Sequence, residues 1–432
     1  MGNGWGVRWR SLSGVTAWPS GDGSTSADAI RREDYTLLRF GPLPRTTVQE
    51  FPPVTSASSP LRLVIAGGGT GGHVLPAASV IEELRRREQP FDALWIGSHT
   101  GVERSVAQSN DVPFVAIQSG KLRRYFSVQT ATDAVRFPIG IAQAWRHVRA
   151  FRPDVIYSTG GAVSVPTVIA GARLAPVLTH EQTAQIGIAN KTASRFAKTF
   201  AVGFEDTARL ARQRHGNVVV TGNPVRSSLG SGSAERGRMW AGFTPELPVV
   251  YVTGGARGAS PLNERIEAIL EDLLEQAQIV HQVGPASANT DFDRLNRKHS
   301  TLPRHLAKRY KVVEFVRDEL ADVYAMTGLV VARSGAGTVS ELGYLGLPSI
   351  LMPLPGTWGD EQRKNARILS EVEAAVVIEQ ADAMPVRFRD EILDLVANPD
   401  RRYAMAAAAR TTSRPDAAAR LVDELLNLAR AR

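Results

Sequence analysis

Short apolar segments alternate with amphipathic segments along most of the chain. In the first half, segments with helical spacing separate the apolar runs, which occupy residues 61–66, 93–96, 114–117, 155–157 and 177–178. Strands that alternate with helices are typical of a parallel, doubly wound sheet. The pattern therefore predicts an α/β unit in this half of the chain.

The same alternation begins again near residue 248. A helix is predicted at 263–276, and the apolar runs occupy residues 248–253, 279–283, 311–315, 329–332 and 349–352. Between the halves, residues 222–246 contain an Asn-Pro pair and a Gly/Ser run, which are signals of turns and linkers. We therefore predict two Rossmann-like, doubly wound units that face each other across a cleft, which is the GT-B arrangement.

The two ends of the chain follow different patterns. Residues 1–59 are rich in Gly, Ser, Thr and Pro and have no sustained period, so they bury too little apolar surface to stay ordered. We interpret them as a disordered extension or as the result of a misassigned start. Residues 415–432 carry three leucines at helical spacing and are predicted to form a terminal amphipathic helix. The predicted units are then 60–225 and 226–414.

Composition narrows the classes of function. The chain has 432 residues, with 51 basic and 43 acidic side chains and a net charge of +8, which favours anionic lipid, phosphorylated substrates or nucleic acid as partners. The absence of cysteine excludes disulfides, cysteine metal sites and a cysteine nucleophile. No apolar run approaches the roughly 20 residues of a spanning helix. No apolar stretch follows Arg8 and Arg10, as it would in a signal peptide.

The first glycine-rich loop follows a predicted strand and begins a helix. It reads Gly-Gly-Gly-Thr-Gly-Gly-His over residues 67–73. Its backbone N–H groups and the helix N-terminus favour a negatively charged ligand. The string also matches a dinucleotide fingerprint, but Gly-Ser-His follows the next strand instead of the acid that would hold a ribose, so NAD is disfavoured. His73 is either a surface residue or a general base that faces the cleft.

Two further polar clusters lie at predicted strand ends in the first unit. Ser-Thr-Gly-Gly-Ala occupies residues 158–162, and His-Glu-Gln occupies residues 180–182. The carboxyl ends of the strands line the cleft of an open sheet, so these side chains are candidates for a site. Ordinary polar loop residues would look the same, and both interpretations remain open for the second cluster.

The second unit contains the most specific local motif, Arg-Ser-Gly-Ala-Gly-Thr-Val-Ser-Glu over residues 333–341. Its N–H groups and the Thr338 hydroxyl suit a pyrophosphate, while Glu341, one turn further on the same face, suits the two hydroxyls of a ribose. Gly-Gly-Ala-Arg-Gly-Ala at 254–259 offers Arg257 as a phosphate ligand. Asp-Glu-Gln at 360–362, with Asn365 beyond it, indicates either sugar-hydroxyl contacts or acidic helix capping.

Two other segments allow competing interpretations. Asp-Phe-Asp at 291–293 matches the D-x-D of metal-dependent transferases, but it lies far from any glycine loop, and we interpret it as solvated surface. Lys-Leu-Arg-Arg-Tyr-Phe at 121–126 precedes a helical pattern that contains Arg136, Phe137, Ile141, Trp145, Arg146 and Arg149. Basic and aromatic residues on one amphipathic stretch suit an anionic membrane surface. A nucleic-acid patch would look similar, but no nucleic-acid fold signature accompanies it.

In their order along the chain, these motifs resemble those of the MurG family of glycosyltransferases. The resemblance covers roughly residues 61–430, and its matching segments are 69–73, 121–126, 180–182, Gly-Asn-Pro-Val-Arg at 222–226, 254–259, His-Gln at 281–282, 333–341 and Gly-Asp-Glu-Gln-Arg-Lys-Asn-Ala at 359–366. Each motif alone is weak, whereas the ordered set is specific.

The resemblance implies a GT-B fold and an activity that needs no metal and no cofactor. It implies that GlcNAc is transferred from UDP-GlcNAc to lipid I, the undecaprenyl-pyrophosphoryl-MurNAc-pentapeptide, which gives lipid II at the cytoplasmic face of the bacterial membrane. Residues 60–225 would hold the acceptor and contact the anionic membrane surface, and residues 226–414 would hold the donor. The terminal helix would pack back on the first unit. Nucleic acid is not an expected partner.

The resemblance also implies roles for individual residues. Glu341 would bind the ribose, Thr338 the phosphates and the Val316 backbone the uracil, while Gln362 and the Ala336 backbone would meet GlcNAc. The remaining implied substrate contacts are Thr70, Gly71, Gly72, Thr183, Arg226, Ala256, Gly337, Val339 and Ser340. We expect a single inverting displacement, with His73 as the first candidate base and Glu181 as the second.

Three positions depart from the family pattern. Thr183 stands where asparagine is frequent, Ala256 where serine is usual, and Ala162 where an aromatic residue is common. These positions lie at expected substrate contacts, so a related transferase with another lipid or secondary-metabolite acceptor remains an alternative. A UDP-GlcNAc 2-epimerase, which the basic-aromatic segment disfavours, and a non-catalytic UDP-sugar-binding protein are the others.

Overall fold

The structure is a computed structural model that describes the backbone over residues 60–120 and 128–431 and the side-chain environments over residues 60–120 and 136–431. The predicted disordered extension at 1–59 and the basic segment at 121–126 lie outside the described residues. Within these limits the chain forms two parallel sheets with helices on both faces.

The first sheet contains seven parallel strands. They are β1 (Leu61–Gly67), β2 (Phe91–Gly97), β3 (Phe114–Ala116), β4 (Val155–Gly160), β5 (Val177–Glu181), β6 (Thr199–Val202) and β7 (Val218–Val220). Their order is β3-β2-β1-β4-β5-β6-β7. The order reverses between β1 and β4, and open α/β sheets bind ligands at the carboxyl ends of the strands beside such a switch point.

The second sheet repeats this topology with six parallel strands. They are β8 (Val249–Thr253), β9 (Gln278–Gln282), β10 (Tyr310–Val313), β11 (Thr327–Ala332), β12 (Ser349–Leu351) and β13 (Ala375–Val377). Their order is β10-β9-β8-β11-β12-β13, so the switch point lies between β8 and β11. The predicted GT-B fold of two Rossmann-like units is confirmed.

Helices cover both faces of each sheet. In the first half these are α1 (Gly71–Arg86), α2 (Glu103–Ser109), α3 (Val128–Phe151), α4 (Ser164–Gly171), α5 (Ile188–Ala193) and α6 (Glu205–Arg212). In the second half they are α7 (Ala234–Ala241), α8 (Ser260–Ala268), α9 (Leu270–Gln276), α10 (Asp291–Thr301), α11 (Arg304–Ala307), α12 (Leu320–Met326), α13 (Ala336–Leu345), α14 (Glu361–Ser370), α15 (Pro385–Ala397), α16 (Pro399–Thr411) and α17 (Ala417–Arg430). Two short 3-10 helices precede α7 and α14, and they span Ser227–Ser231 and Trp358–Asp360.

The alternation of β1 shows how the sequence builds two core layers. Leu63 and Ile65 pack with α1 on one face of the sheet, while Val64 and Ala66 pack with α3 and α4 on the other. Successive strand residues point to opposite faces, so a strand buried on both sides must be apolar at every position. This is why the strands appear in the sequence as continuous apolar runs.

The last helix packs against the first sheet. Leu421, Val422 and Leu425 of α17 are fully buried in the same cluster as residues of α1 and β1. Arg87, just after α1, donates hydrogen bonds to the Ala419 carbonyl oxygen (3.0 Å) and to Asp423 (2.5 Å). The end of the chain therefore completes the core of the first unit.

Every strand predicted from an apolar run is present, but the predicted helix at 263–276 is wrong in one respect. It is two helices, α8 and α9, because Ile269 has non-helical torsion angles (φ −122°, ψ 10°). Ile269 is also buried in the core, so tertiary packing overrides the helical pattern at this residue. Strands β6, β7 and β13 were not predicted.

The interpretation of residues 291–293 as solvated surface is wrong for Asp291. Asp291 is the first residue of α10. Its side chain is almost fully buried and accepts hydrogen bonds from Asn263 Nδ2 (2.7 Å) and Arg294 (2.7 Å). A buried carboxylate is stable only when such donors compensate its lost hydration. Asp293 is exposed, as predicted.

Replacing Leu421 with alanine tests the contribution of α17 to the first core. We expect the Leu421→Ala change to lower the free energy of unfolding by about 2–5 kcal/mol, since it leaves a cavity among fully buried side chains. Urea denaturation measures the loss, and Val386→Ala, at a side chain that is 60% exposed, should change it by less than about 0.5 kcal/mol. Equal effects of the two changes would show that α17 does not pack as described.

Candidate functional site

His73 lies at the switch point of the first sheet. It sits in the first turn of α1, directly after β1, and its ring reaches the end of β4, where Nδ1 lies 3.1 Å from the Thr159 carbonyl oxygen. That oxygen can only accept a hydrogen bond, so Nδ1 carries the ring proton. In the neutral ring, the second nitrogen, Nε2, then has a lone pair that can take a proton from a ligand, and no hydrogen bond to it is found among the described residues.

Glu181, the second candidate base, is enclosed by hydrogen-bond donors. Its buried carboxylate accepts from the Thr183 N–H (3.1 Å) and hydroxyl (2.8 Å) through Oε1, and from Gly187 N (2.8 Å) and Asn190 Nδ2 (3.1 Å) through Oε2. With four donors bound, this group stabilises the loop after β5. The geometry favours His73 over Glu181 as a base.

Thr183, expected to contact the sugar, turns its hydroxyl into the protein. The hydroxyl lies within hydrogen-bonding distance of Glu181 Oε1 and of the Gln185 carbonyl oxygen, and the side chain is largely buried. The Thr183 carbonyl oxygen accepts from Thr207 Oγ1 (2.8 Å). In this conformation Thr183 shapes the loop instead of presenting a polar group to a sugar.

A buried carboxylate that the sequence analysis missed lies beneath the first glycine loop. Glu103, in the first turn of α2, is fully buried and accepts hydrogen bonds from Gly69 N (2.9 Å), Ser98 N (2.7 Å) and Ser98 Oγ (2.5 Å). A Cβ atom at Gly68 would lie 2.3 Å from this carboxylate, so the loop must be glycine there. The end of β2 carries no acid, in agreement with the sequence, and Glu103, at the start of the next helix, binds the loop.

The start of α1 remains accessible in front of that carboxylate. Thr70 and Gly72 are exposed and Gly71 is half-buried. As first-turn residues, Gly71 and Gly72 have no helical acceptor for their N–H groups. The Glu103 carboxylate already accepts the hydrogen bond of Gly69 N. Because its negative charge would repel a second anion, this loop is better suited to neutral hydroxyls than to a pyrophosphate.

The start of α13, at the switch point of the second sheet, has the opposite character. The N–H groups of Ala336, Gly337 and Thr338 are in the first helical turn and have no helical acceptor, whereas Val339 N donates to Gly335 O (3.0 Å). Apart from chain neighbours and the adjacent helix backbone, no atom of the described residues lies within 4 Å of where a Cβ would stand at Gly335 or Gly337. Free N–H groups at the positive end of a helix, with open space before them, can bind an anion.

Val339 and Ser340, the other predicted contacts on α13, have structural partners. The Val339 side chain is buried in the core of the second unit. Ser340 Oγ donates to Ala336 O (2.9 Å) and accepts from Asn223 Nδ2 (2.9 Å), which belongs to the connection between the units. The structure therefore brings the backbone of 336–338 to the site and uses the side chains of 339 and 340 for packing.

Glu341 lies one turn further along α13, between a tyrosine and an arginine. Tyr324, which sequence reasoning missed because no motif surrounds it, donates a hydrogen bond to Glu341 Oε2 (2.8 Å). Burial raises the pKa of Glu341, while this hydrogen bond and the positive charge of Arg226 oppose the rise. Among the described residues, nothing accepts a hydrogen bond from the buried Arg226 Nε. An unpaired donor beside a carboxylate is a suitable place for a polar ligand.

The loops after β8 and β10 complete this side of the cleft. Val316 N donates to Gln282 Oε1 (2.9 Å), which also accepts from Tyr251 Oη (3.2 Å). The backbone of Val316 can therefore offer its carbonyl oxygen to a base, but its N–H is already bound. Ala256 and Arg257 lie exposed on the loop after β8.

A buried amide connects the two units. Asn365 Oδ1 accepts from Ala184 N (2.9 Å) in the first unit, and Asn365 Nδ2 donates to Ser334 O (3.1 Å) in the second. Lys364 Nζ also bonds Gln185 Oε1 (2.5 Å). Asn365 is fully buried with both ends of its amide occupied, so it joins the units and is not a sugar ligand.

Two side chains at the start of α14 lie beside this connection. Gln362 Oε1 accepts from Leu354 N (3.0 Å), so the amide group is held in place. Burial raises the pKa of Glu361, and the negative charge of Glu181 across the cleft raises it further. No group of three or more His, Cys, Asp or Glu side chains in the described part of the chain is arranged to hold a metal ion.

The exposed side of α3 forms a basic and apolar surface, which we call the α3 outer face and define as Arg136, Ile139, Trp145, Arg146 and Arg149. The opposite side of α3 is buried in the core through Ala144, Val148 and Phe151. Ile139 and Trp145 are 44% and 45% exposed, and the Arg149 guanidinium lies 5.1 Å from the centre of the Trp145 ring. Across the described residues, we find no helix with the length and apolarity needed to span a bilayer.

Comparison with known proteins identifies relatives along both units. Residues 63–202 match the glycosyltransferase family 28 N-terminal domain, and residues 249–421 match the family 28 C-terminal domain. A UDP-N-acetylglucosamine--N-acetylmuramyl-(pentapeptide) pyrophosphoryl-undecaprenol N-acetylglucosamine transferase from Halalkalibacterium halodurans is 34% identical over 363 residues, which cover 84% of this chain and 98% of the relative.

Two further relatives agree with this match. A transferase of the same name, numbered 2, from Bacillus cereus is 38% identical over 295 residues, covering 68% of this chain and 79% of the relative. The crystal structure of Acinetobacter baumannii MurG superposes with a TM-score of 0.64 at 25% identity, covering 85% of this chain and 100% of that one.

Replacing Glu103 with glutamine tests the support of the first glycine loop. An amide has one acceptor oxygen, so at least one of the three donors that face Glu103 loses its partner in the Glu103→Gln variant. We expect a loss of about 1–3 kcal/mol in the free energy of unfolding, measured by urea denaturation. Glu264→Gln, at an exposed carboxylate, is the control and should change it by less than about 0.5 kcal/mol. A neutral Glu103→Gln change would contradict the described role.

Proposed function

Because the chain belongs to the MurG family within glycosyltransferase family 28, we propose that it transfers GlcNAc from UDP-GlcNAc to lipid I and so forms lipid II. The observation that carries the proposal is the placement of complementary groups on the two units. His73 presents a free Nε2 on the first, and the start of α13 presents free N–H groups with Glu341 on the second. Asn365 joins the loop after β5 in the first unit to the loop that precedes α13 in the second.

The second unit binds the nucleotide in this proposal. The backbone N–H groups of 336–338 bind the pyrophosphate, and Glu341 accepts hydrogen bonds from the ribose hydroxyls. The Val316 carbonyl oxygen accepts the uracil N–H, and Arg226, whose Nε is unpaired, lies near the ribose. Gln362 faces the sugar from the start of α14. These roles follow the family motifs and the positions of the groups.

The first unit activates the acceptor. His73 Nε2 takes the proton of the acceptor hydroxyl on the muramyl sugar as the oxygen attacks the anomeric carbon of GlcNAc. The bond between that carbon and the UDP oxygen breaks, its electron pair leaves with UDP, and the configuration inverts. The negative charge that develops on the pyrophosphate is stabilised by the helix N-terminus of α13. Thr70, Gly71 and Gly72 face the uncharged acceptor sugar.

The α3 outer face binds the membrane that carries the acceptor. Three arginines attract anionic phospholipid head groups, while Ile139 and Trp145 insert among them. In this proposal the protein is peripheral at the cytoplasmic face of the membrane, as the family resemblance implies, with the acceptor-binding unit toward the lipid. No spanning segment is needed for such an attachment.

Transfer of labelled GlcNAc from UDP-GlcNAc to a lipid I analogue in the presence of EDTA tests the activity. We expect a product of lipid II mass and release of UDP. His73→Ala should lower kcat by about 10²–10⁴-fold, as expected for loss of a general base, with UDP binding retained. The control is His305→Ala, at an exposed histidine on the second unit, and it should stay within threefold of wild type.

Three outcomes would count against this proposal. Product that requires a divalent metal would contradict the role of α13, and a His73→Ala variant within a few fold of wild type would contradict the base. Absence of product, with UDP-GlcNAc still bound, would favour a related transferase with another acceptor, which the substitutions at Thr183, Ala256 and Ala162 leave possible.

Vesicle binding tests the α3 outer face. A Trp145→Ser, Arg149→Ser double variant should bind vesicles of anionic phospholipid at least roughly tenfold more weakly, since each arginine near such a surface contributes about 1 kcal/mol and the indole adds apolar contact. The matched control is Tyr403→Ser, Arg387→Ser, an exposed aromatic and basic pair on the second unit. If both double variants lost vesicle binding to the same extent in a sedimentation assay, the membrane contact would lie elsewhere on the protein.

A further inference from the structure

We propose that Gln182 is the positioning residue for His73, because its side-chain amide holds the ring in the tautomer that leaves Nε2 free. The inference rests on the proposed function for the assignment of His73 as the base. Gln182 follows β5, is almost fully buried, and lies 109 positions along the chain from His73. It therefore acts on the reaction through the histidine and not by touching the substrate.

The orientation of the Gln182 amide is set by two carbonyl groups. Its Nε2 donates to Thr159 O (2.8 Å) and to His180 O (3.1 Å), and neither oxygen can donate in return. The nitrogen end of the amide is therefore fixed, and the oxygen end must point the other way. Oε1 lies 3.2 Å from His73 Nδ1 and accepts its proton.

Two acceptors thus share the Nδ1 proton of His73. One is the Thr159 carbonyl oxygen at 3.1 Å, and the other is Gln182 Oε1. Gln182 supports the first acceptor as well, because its Nε2 bonds the same Thr159 oxygen. Loss of the amide would remove one of the two acceptors of the Nδ1 proton and one donor that holds the Thr159 carbonyl oxygen. The ring would then be held by a single contact and would in part populate the tautomer protonated at Nε2, which cannot act as a base.

Behind Gln182 lies a histidine that stays neutral. His180 is fully buried, its Nε2 donates to Gly222 O (3.1 Å), and burial lowers its pKa to about 4. The Tyr157 hydroxyl lies 3.4 Å from His180 Nδ1, and burial raises the pKa of Tyr157. His180 Nδ1 also lies 3.4 Å from Gln182 Nε2, so the neutral imidazole supports the amide without adding charge beside His73.

The first measurement compares Gln182→Met with a matched buried glutamine. Gln278 is equally buried, and its amide bonds Thr244 and Leu247 far from the site. We expect Gln182→Met to lower kcat by about 10–100-fold, as loss of a partner that orients a functional histidine does elsewhere, with KM for UDP-GlcNAc changed by less than about threefold. Gln278→Met should leave kcat within about threefold. Equal losses of kcat would overturn the proposal.

A double-mutant cycle separates positioning from a general structural role. If Gln182 acts through His73, adding Gln182→Met to His73→Ala should change kcat by less than about twofold, because the group that it positions is already gone. A loss of the same factor on both backgrounds would show that Gln182 acts independently of His73, and the proposal would be wrong.

Nitrogen-15 spectra of histidine-labelled protein test the tautomer without any turnover. The His73 signals, assigned by their absence in His73→Ala, should show the proton on Nδ1 in the wild type and a shift toward Nε2 in Gln182→Met. Retention of the Nδ1 proton in that variant would contradict the inference. If the wild-type protein transferred no GlcNAc, the proposed function would fail, while these spectra would still decide the role of Gln182.

Discussion

The side-chain amide of Asn365 is the contact on which the site depends, because it ties together loops of both units. One end accepts the Ala184 N–H beside the enclosed carboxylate of Glu181, and the other donates to the Ser334 carbonyl oxygen at the start of the α13 turn. A fully buried amide that lost either partner would carry an unsatisfied polar group, which costs about 1–3 kcal/mol. The two hydrogen bonds of this amide therefore favour one separation of the two loops.

Within that frame the two units are alike in topology but different in electrostatics. Beneath the first glycine loop, the Glu103 carboxylate already occupies a backbone N–H, so the loop favours an uncharged hydroxyl over a phosphate. At the start of α13 the first-turn N–H groups remain free, and Arg226 adds positive charge near Glu341. In the proposed function, the strand-loop-helix unit of the first half therefore faces the hydroxyls of the acceptor sugar, and that of the second half binds the pyrophosphate of the donor.

The features that could be predicted from the sequence are local ones. Apolar runs and glycine loops define most of the strands and the switch points. Glu341 stands one turn from Thr338 on the same helix face, and this spacing is what proposes both as site residues. The features that were missed depend on pairs distant in sequence: Asn365 with Ala184, His73 with Gln182, and Glu103 with Gly69. Asp291 looked solvated for the same reason, since its partner Asn263 lies on another helix. Periodicity carries no information about such contacts.

A crystal structure of the protein with UDP-GlcNAc would test whether the donor and the base meet across one cleft. We expect the pyrophosphate to bind the N–H groups of 336–338 and the ribose hydroxyls to bind Glu341. We expect the anomeric carbon to face His73 Nε2 across the cleft, with room for one hydroxyl between them. A nucleotide bound at the glycine loop of the first unit, or an anomeric carbon turned away from His73, would contradict this expectation.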